Sequence, residues 1–180
     1  MKRLKFINCD KKISTTEIES VENKYNFKYP EEIKKHYLKC NGGYPNKELY
    51  EYDGEEYKIN YFLSIGNKVN SFEKIYELLR SDDVFPSWLI PFADDEGGNF
   101  FAFSVLEKDY GSIYYYSHEF ELGEDPALYV KKISDNFSSF LSNLKMEEED
   151  DTDINTNSGF RISEEWVKQM AANLHKQGIK

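Results

Sequence analysis

Three short apolar segments separated by compact polar turns leave this chain few ways to fold. The segments are residues 88–93, 99–106 and 112–117, and the turns between them read DDEGGN and EKDYG. Apolar runs of this length, bounded by Gly, Asp and Asn, are typical of β-strands, and such short turns join antiparallel neighbours. The sequence therefore predicts an antiparallel meander over residues 88–117.

The first of these turns carries three consecutive carboxylates, and three interpretations of it are open. Asp94, Asp95 and Glu96 could bind a metal, form an acidic catalytic cluster, or lie in a loop that only joins two strands. Consecutive turn residues point in different directions, and the alternating ligands of a calcium loop are missing. Asp and Asn bond their own backbone in turns, and Gly97 and Gly98 supply positive φ. These points favour the loop.

Four other segments have the periodicity of amphipathic helices. Glu17 follows Ser14 at the spacing of a capping box, and Ile18, Val21 and Tyr25 share one face of the first helix. The helix start signals, in chain order, are Ser14 or Thr15, Pro30, Asn70 or Ser71, and Ser134. Each predicted helix has one apolar face, so each is expected to pack on a common core.

The remaining regular structure is a hairpin and a further strand between the second and third helices. Asp53-Gly54 lies between two Tyr-rich segments, which is a hairpin signal, and residues 61–65 continue as a strand. The order is then helix, helix, strands, helix, strands, helix. This order predicts an α+β fold with a mixed or mostly antiparallel sheet flanked by helices.

The length and the change of composition near the C-terminus predict one domain with an extension. A chain of 180 residues suits a single core, and we place the domain at residues 1–146. Six acidic residues among the seven from Glu147 to Asp153 open an acidic polar linker at residues 147–162. Residues 163–180 then form a short C-terminal helix or tail, with Ser163 as its cap.

Composition indicates an aromatic core and an intracellular location. Aromatic residues make up 16% of the chain, which favours a globular body rich in rings. Cys9 and Cys40 lie in separate segments without CxxC spacing, so they support neither a disulfide framework nor a zinc site, and a cytoplasmic protein is expected. The N-terminus lacks the apolar region of a signal peptide, and no apolar run is long enough to span a membrane.

Charge is distributed unevenly along the chain. Residues 1–47 carry 11 basic and 6 acidic side chains, whereas residues 48–146 carry 8 basic and 19 acidic ones. The negative potential of the middle region repels nucleic acid phosphates and attracts basic partners. A solubilising acidic surface without a partner is the alternative.

Catalytic and cofactor-binding signals are weak in this sequence. Of its histidines, His36 lies between lysines on the second helix and is expected to be exposed, and His175 lies in the tail. His118 has Ser117 and Glu119 beside it, but neighbouring residues of a strand face opposite ways and do not form a triad. No P-loop, GxGxxG after a strand or HExxH is present. We therefore predict no catalytic residues, no metal ligands and no cofactor.

The tyrosine run Tyr114-Tyr115-Tyr116 favours a protein interface over a nucleic acid surface. Exposed rings can stack on bases, but acidic surroundings disfavour that use. Alternation along a strand places either Tyr115, or Tyr114 and Tyr116, away from the core. Tyrosine beside carboxylates suits a basic protein partner.

Several blocks in a fixed order resemble the SUKH superfamily of Smi/Knr-type domains. They are YPEEIKKHYLKCNGG, FLSIG, WLIPFADDEGGNFFAFSV, GSIYYYSHE and NFSSFLSNL, and the resemblance runs from about residue 14 to residue 144. It implies an α+β domain without a catalytic centre, in which the DDEGGN turn joins two sheet strands. Bacterial members resemble immunity proteins that neutralise a cognate polymorphic toxin, and fungal members are linked to cell-wall synthesis. Frequent Lys, Asn, Ile and Tyr favour the bacterial branch.

The combined expectation is a cytoplasmic immunity protein that binds a toxin, such as a basic nuclease, through an acidic surface. The residues expected to contact this partner are Glu55, Glu56, Asp94, Asp95, Glu96, Tyr115 and Glu119. An alternative is a regulatory scaffold in cell-wall or envelope assembly that docks through residues 163–177. A third hypothesis, a hydrolase around Asp94, Asp95 and His118, is disfavoured by the absence of a catalytic motif.

Overall fold

A computed structural model describes residues 3–66, 71–81, 85–118 and 129–147 of the chain. Within these residues the helices are α1 (Thr15–Tyr25), α2 (Glu31–Lys39), α3 (Phe72–Ser81) and α4 (Phe137–Ser142). The strands are β1 (Phe6–Ile7), β2 (Tyr44–Pro45), β3 (Leu49–Tyr52), β4 (Glu55–Lys58), β5 (Tyr61–Phe62), β6 (Leu89–Asp94), β7 (Phe100–Ser104), β8 (Ile113–Tyr116) and β9 (Val130–Ser134). The predicted α+β fold is confirmed.

The first two helices begin where their local sequence signals lie. Ser14 caps α1 in a full capping box with Glu17, as predicted. Pro30 precedes α2, where its missing N–H leaves no hydrogen bond unmade. The buried carboxylate of Glu22 joins the two helices, because it accepts hydrogen bonds from the backbone N–H of Tyr29 at 2.9 Å and from Lys34 at 2.9 Å.

The centre of the molecule is an antiparallel sheet with the strand order β5-β6-β7-β8-β9. Strands β6 and β7 are buried along their whole length. On one face of β7 Phe101 packs against Phe140 of α4, and on the other Phe100 packs against Phe85. The predicted meander is confirmed, with ends that differ by one or two residues. Strand β9 was not predicted, and Ser134, expected to cap the last helix, lies in it; Asn136 is the residue that caps α4.

Strands β3 and β4 form the predicted hairpin, which is a separate two-stranded sheet. Asp53 and Gly54 at its tip both have positive φ, 54° and 78°, as a tight type I′ turn requires. The hairpin packs on the main sheet through Tyr50, whose hydroxyl donates to the carbonyl oxygen of Ile133 at 2.8 Å. Its orientation is therefore set by contacts with β9 and α4, while its register is set by its own turn.

The core is built mainly from aromatic rings, as the composition predicts. Phe62, Phe92, Phe137 and Phe140 form a contiguous group with ring centroids 5.4 to 6.4 Å apart. Aromatic pairs at these distances contribute roughly 0.5–1.5 kcal/mol beyond the burial of their area. The largest buried side chains include Tyr29, Tyr37, Tyr116, Phe62, Phe72, Phe92, Phe100, Phe101, Phe103, Phe137 and Phe140.

The two cysteines form a disulfide, contrary to the prediction. Cys9 and Cys40 are bonded, with Cα atoms 5.4 Å apart. Their spacing along the chain gave no signal because they meet only when residues 3–11, here called the N-terminal arm, lie against the end of α2. Asp10 donates its backbone N–H to the carbonyl oxygen of Asn41 at 2.8 Å, and β1 pairs with β2. The disulfide therefore closes a non-local contact.

The sequence predicts that His36 is exposed between lysines, but the structure shows it half-buried among aromatic rings. Its ring centroid lies 4.6 Å from that of Phe6, 5.2 Å from that of Phe62 and 5.4 Å from that of Phe137. The N-terminal arm supplies Phe6, so the ring is covered by a segment that helix periodicity alone cannot place. Burial lowers the pKa of His36 to about 4.

Two predictions about the C-terminus fall outside the described residues. The linker at residues 147–162 is described only at Glu147, and the helix or tail at residues 163–180 not at all. In the part of the chain that the structure describes, no helix has the length and apolar character needed to cross a bilayer.

Candidate functional site

The turn between β6 and β7 is closed by the side chain of Asp95. Its carboxylate accepts hydrogen bonds from the backbone N–H and the side-chain amide of Asn99, both at 2.8 Å. Gly98 has φ of 89°, which a residue with a side chain rarely adopts. Asp95 thus stabilises the turn, as expected of a strand-connecting loop, and it remains half-buried.

Asp94, at the end of β6, faces the interior. Its exposed fraction is 0%, the side-chain amide of Asn60 donates to Oδ1 at 3.2 Å, and Oδ2 has no hydrogen-bond partner among the described residues. Burial raises the pKa of Asp94 to about 8, and the nearby charge of Asp95 acts in the same direction. The sequence interpretation treated the three carboxylates as one contribution to a negative surface, but Asp94 contributes no surface charge.

Tyr115 connects this turn to the hairpin. Its hydroxyl donates to Oδ2 of Asp95 at 2.6 Å, and its ring packs edge-on against Tyr57 of β4 with centroids 4.7 Å apart. Burial, together with the hydrogen bond to Asp95, raises the pKa of Tyr115. Tyr115 is half-buried, so it holds two loops together more than it projects from the surface.

On the hairpin, Glu55 is held in place and Glu56 is not. Glu55 accepts hydrogen bonds from the hydroxyl of Tyr57 and from Nζ of Lys131, the latter at 3.0 Å. Glu56 lies on the opposite face of β4, directly across from Glu51 of β3, and both side chains are exposed. Glu51 forms an ion pair with Lys145, so within the described part of the chain Glu56 carries the uncompensated charge of this cross-strand pair.

Glu96 completes a group of exposed carboxylates near the base of the hairpin. Glu48 and Glu147 both pair with Lys58, at 3.8 and 2.7 Å. Burial raises the pKa of Glu48, and the charges of Glu147 and Glu96 act in the same direction, so Glu96 is within electrostatic range of this group. We call the set Glu48, Glu55, Glu56, Glu96 and Glu147 the acidic surface.

The structure therefore brings together most of the residues predicted to contact a partner. The hairpin residues Glu55 and Glu56 and the turn residues Asp95 and Glu96 lie on neighbouring loops that Tyr115 joins. Asp94 is the exception because it is buried. Glu119 lies outside the described residues. Sequence reasoning missed Tyr57, whose ring makes the contact between the two loops.

His118 is bound to the same turn. Its backbone N–H donates to Oδ1 of Asn99 at 3.0 Å, and its Nδ1 lies 2.8 Å from the same oxygen. Asn99 thus contacts Asp95 and His118, while Asp94 points away into the core. Among the described residues, no group of three or more His, Cys, Asp or Glu side chains is arranged to hold a metal ion.

A polar groove of about 600 Å³ lies beside the hairpin, between β3 and the β9–α4 corner. It is lined by Tyr50, Glu51, Tyr52, Lys132, Ile133, Ser134, Asp135, Asn136, Ser139 and Asn143. The groove borders Glu51 and so extends the surface on which the hairpin carboxylates lie. Its polar lining is unlike the mostly apolar pockets that bind small molecules.

Comparison with known proteins gives one clear match. The family model described as the SMI1 / KNR4 family (SUKH-1) matches residues 12–143. No curated protein matches the chain. The matched span contains the five-stranded sheet, the hairpin and the turn at residues 94–99, and it begins after the N-terminal arm.

Proposed function

Because the chain belongs to the SMI1 / KNR4 family (SUKH-1), we propose that it is a non-catalytic immunity protein. It binds a cognate bacterial toxin one-to-one and blocks it through the acidic surface. The hairpin and the turn at residues 95–99 form the contact region. Asp95 and Tyr115 hold these two loops in place, and Glu119 belongs to the proposed contact set by its position in the sequence.

The observation that carries this proposal is the joining of two acidic loops by a tyrosine pair. Glu56 and Glu96 are exposed, and no ion pair or hydrogen bond to either side chain lies within the described part of the chain. The Tyr57–Tyr115 contact and the Tyr115–Asp95 hydrogen bond restrain both loops. Restrained loops lose less conformational entropy on binding, so their charges bind a complementary partner more favourably.

The chemistry of this surface favours a basic partner such as a nuclease domain. A nuclease carries positive charge where it binds phosphates, and exposed carboxylates can occupy that region in place of the nucleic acid. Complementary charge raises the association rate, and salt lowers it. Association that weakens with added salt is therefore the expected behaviour.

A cytoplasmic location is part of the proposal and has a consequence for the disulfide. Reducing compartments keep most cysteines as thiols. Cys9 and Cys40 would then exist as a dithiol within the cell, and their Cα separation of 5.4 Å lies within the range that allows the bond to form on oxidation. The proposed contact region, which is the hairpin and the turn at residues 95–99, contains no residue of the N-terminal arm, so the proposed binding does not require the disulfide.

The test begins with the tagged full chain in lysate of its own cells, at low and high salt. We expect a single basic toxin-like protein that is retained at low salt and weakened by high salt. Recovery of envelope-assembly proteins would instead support the scaffold function. Recovery of nothing at either salt concentration would contradict the immunity function.

The contact region is then tested by charge reversal with the recovered partner. The double variant Glu56→Lys/Glu96→Lys should weaken binding at least tenfold and flatten its salt dependence. The matched variant Glu19→Lys/Glu107→Lys makes the same change of charge at exposed sites on α1 and after β7, and it should bind nearly as the wild type does. Equal loss in both variants would mean that net charge, and not this surface, attracts the partner.

A further inference from the structure

A second charged region, of opposite sign, lies where the N-terminal arm meets β2. The side chain of Asn46 organises it: Oδ1 accepts from the backbone N–H of Lys5 at 2.6 Å, and Nδ2 donates to the carbonyl oxygen of Arg3 at 3.3 Å. Lys47 follows directly in the chain. We call Arg3, Lys5 and Lys47 the basic surface.

The residues of the basic surface make no ion pair with any other described residue. Arg3 and Lys5 are exposed and Lys47 is half-buried. No ion pair to any of them lies within residues 3–66, 71–81, 85–118 and 129–147. Asn46 holds the backbone of Arg3 and Lys5, and Lys47 is its neighbour in the chain, so three positive side chains branch from adjoining backbone. An anionic group within reach of them would be stabilised.

The last described residues of the chain lie next to this region. Lys145 pairs with Leu49 in antiparallel fashion, through N–H to oxygen distances of 2.8 and 3.1 Å. Glu147 then reaches Lys58 at 2.7 Å. Because this pairing is antiparallel, the chain at Lys145 runs in the direction that leads from Leu49 back to Lys47 and Asn46.

The residues that follow are strongly acidic. Residues 148–153 read EEDDTD, with five carboxylates among six residues. A segment of this length spans up to about 20 Å when extended. Leu49 and Asn46 are three residues apart, which is at most about 11 Å of chain, so the acidic segment is long enough to reach Arg3 and Lys5.

The acidic surface repels the segment of residues 148–153, and the basic surface attracts it. On the hairpin side, Glu48 and Glu96 repel it, and Lys58 already pairs with Glu48 and Glu147. On the arm side, the basic surface attracts it. We propose that residues 148–153 dock on the basic surface of the same chain, as a charge-paired extension of the fold.

This docking neutralises the basic surface and uses neither Glu56 nor Glu96, the exposed residues proposed to bind the toxin. The proposal does not rest on the immunity function, because it uses only the charges of the arm, the position of Lys145 and the sequence after it. The family match covers residues 12–143. In this proposal the arm before the match binds the acidic segment after it.

The test is cross-linking of the full chain with a zero-length carbodiimide, which joins carboxylates to lysine amines only when they are in contact. We expect links from residues 148–153 to Lys5 and Lys47. A mixture of ¹⁴N- and ¹⁵N-labelled protein should give links within one chain and none of mixed isotope. The pairs Lys58–Glu147 and Lys131–Glu55, at 2.7 and 3.0 Å, provide the positive control.

Two variants make the result specific. Arg3→Glu removes a positive charge of the basic surface but keeps both reactive amines, and it should weaken the links to Lys5 and Lys47, whereas Lys108→Glu, at an exposed site elsewhere, should preserve them. Near-ultraviolet circular dichroism checks that both variants keep the fold. Formation of the control links without links to Lys5 or Lys47 would overturn the proposal. Links only between chains would overturn it too and would identify a second copy as the occupant.

Discussion

At the residue scale, His36 couples the charge of one ring to the stability of the fold. A histidine in an unfolded chain has a pKa of about 6.5, whereas burial lowers that of His36 to about 4. Between these values the unfolded state binds more protons than the folded state. The stability that the neutral ring contributes is therefore complete above about pH 6.5 and is lost as the pH falls toward 4.

Replacing His36 should remove this part of the acid sensitivity. We expect His36→Leu to lose less free energy of unfolding than the wild type between about pH 7 and about pH 4.5, by roughly 2 kcal/mol. Urea unfolding of both proteins at the two pH values measures the difference. Equal losses would mean that the ring is more accessible to water than its contacts with Phe6, Phe62 and Phe137 indicate.

Asp94 has the opposite dependence on pH. Burial raises its pKa to about 8, whereas the pKa of an aspartate in an unfolded chain is about 3.9. Between about pH 3.9 and about pH 8 the folded state therefore binds more protons than the unfolded state. The free energy of unfolding falls as the pH rises through this range. Asp94→Asn remains neutral and should raise the free energy of unfolding at about pH 8 by about 1–3 kcal/mol, with little change near pH 4.

The variant Asp94→Asn also tests whether Asp94 contributes to partner binding. Because Asp94 is inside, Asp94→Asn should leave the salt dependence of partner binding unchanged, whereas Glu96→Gln should reduce it. Equal effects of the two variants on binding would contradict the interior position of Asp94. The sequence could not distinguish these carboxylates, because which one faces the core depends on the register of β6 against β5 and β7.

At the scale of elements, the sequence predicted the helix caps and turns whose hydrogen bonds lie within a few residues of one another. The capping box of Ser14 and Glu17 and the tip at Asp53-Gly54 were found because each satisfies its own backbone within a few residues. Strand β9 was missed because Lys131 and Lys132 interrupt its apolar pattern, and only pairing with β8 makes it a strand. The disulfide and the burial of His36 were missed because the arm reaches α2 through non-local contacts.

The candidate site follows the same division. The acidic residues of the hairpin and of the turn were both named from the sequence, but their adjacency was not. It depends on the contact between Tyr57 and Tyr115, which lie in segments far apart in the chain. No periodicity or motif reports such a contact.

The hairpin tip supplies a prediction at this scale. Gly54 has φ of 78° and open space around its Cα, so Gly54→Ala introduces strain without a steric clash. We expect a loss of about 1 kcal/mol and faster hydrogen exchange of the amides in β3 and β4. Asp53→Asn is the matched control, since asparagine tolerates positive φ, and it should be nearly neutral. Similar exchange in both variants would contradict the type I′ turn.

At the scale of the whole molecule, the disulfide joins the N-terminal arm to the body. The two cysteines are 31 positions apart, and closing a loop of that size stabilises the folded state by about 3–4 kcal/mol on the chain-entropy model. We expect Cys9→Ala/Cys40→Ala, and the wild type under reducing conditions, to lose a similar amount in urea unfolding.

Thiol titration provides the check on this prediction. Oxidised protein unfolded without reductant should show no reactive thiol, and reduction should release two. Reactive thiols before reduction would contradict the bond. A wild type whose stability is insensitive to reductant would show that β1–β2 pairing and the contacts of Phe6 hold the arm unaided.

The separateness of the β3–β4 hairpin has a consequence for how such a protein changes its specificity. The hairpin sets its own register at Asp53-Gly54 and meets the main sheet through the rings of Tyr50 and Tyr57. Exposed positions between those rings can therefore vary without shifting any strand of the five-stranded sheet. If the hairpin is the contact region, as proposed, related chains with different partners could differ in the exposed residues of this ten-residue segment, from Leu49 to Lys58, and share the rest of the fold.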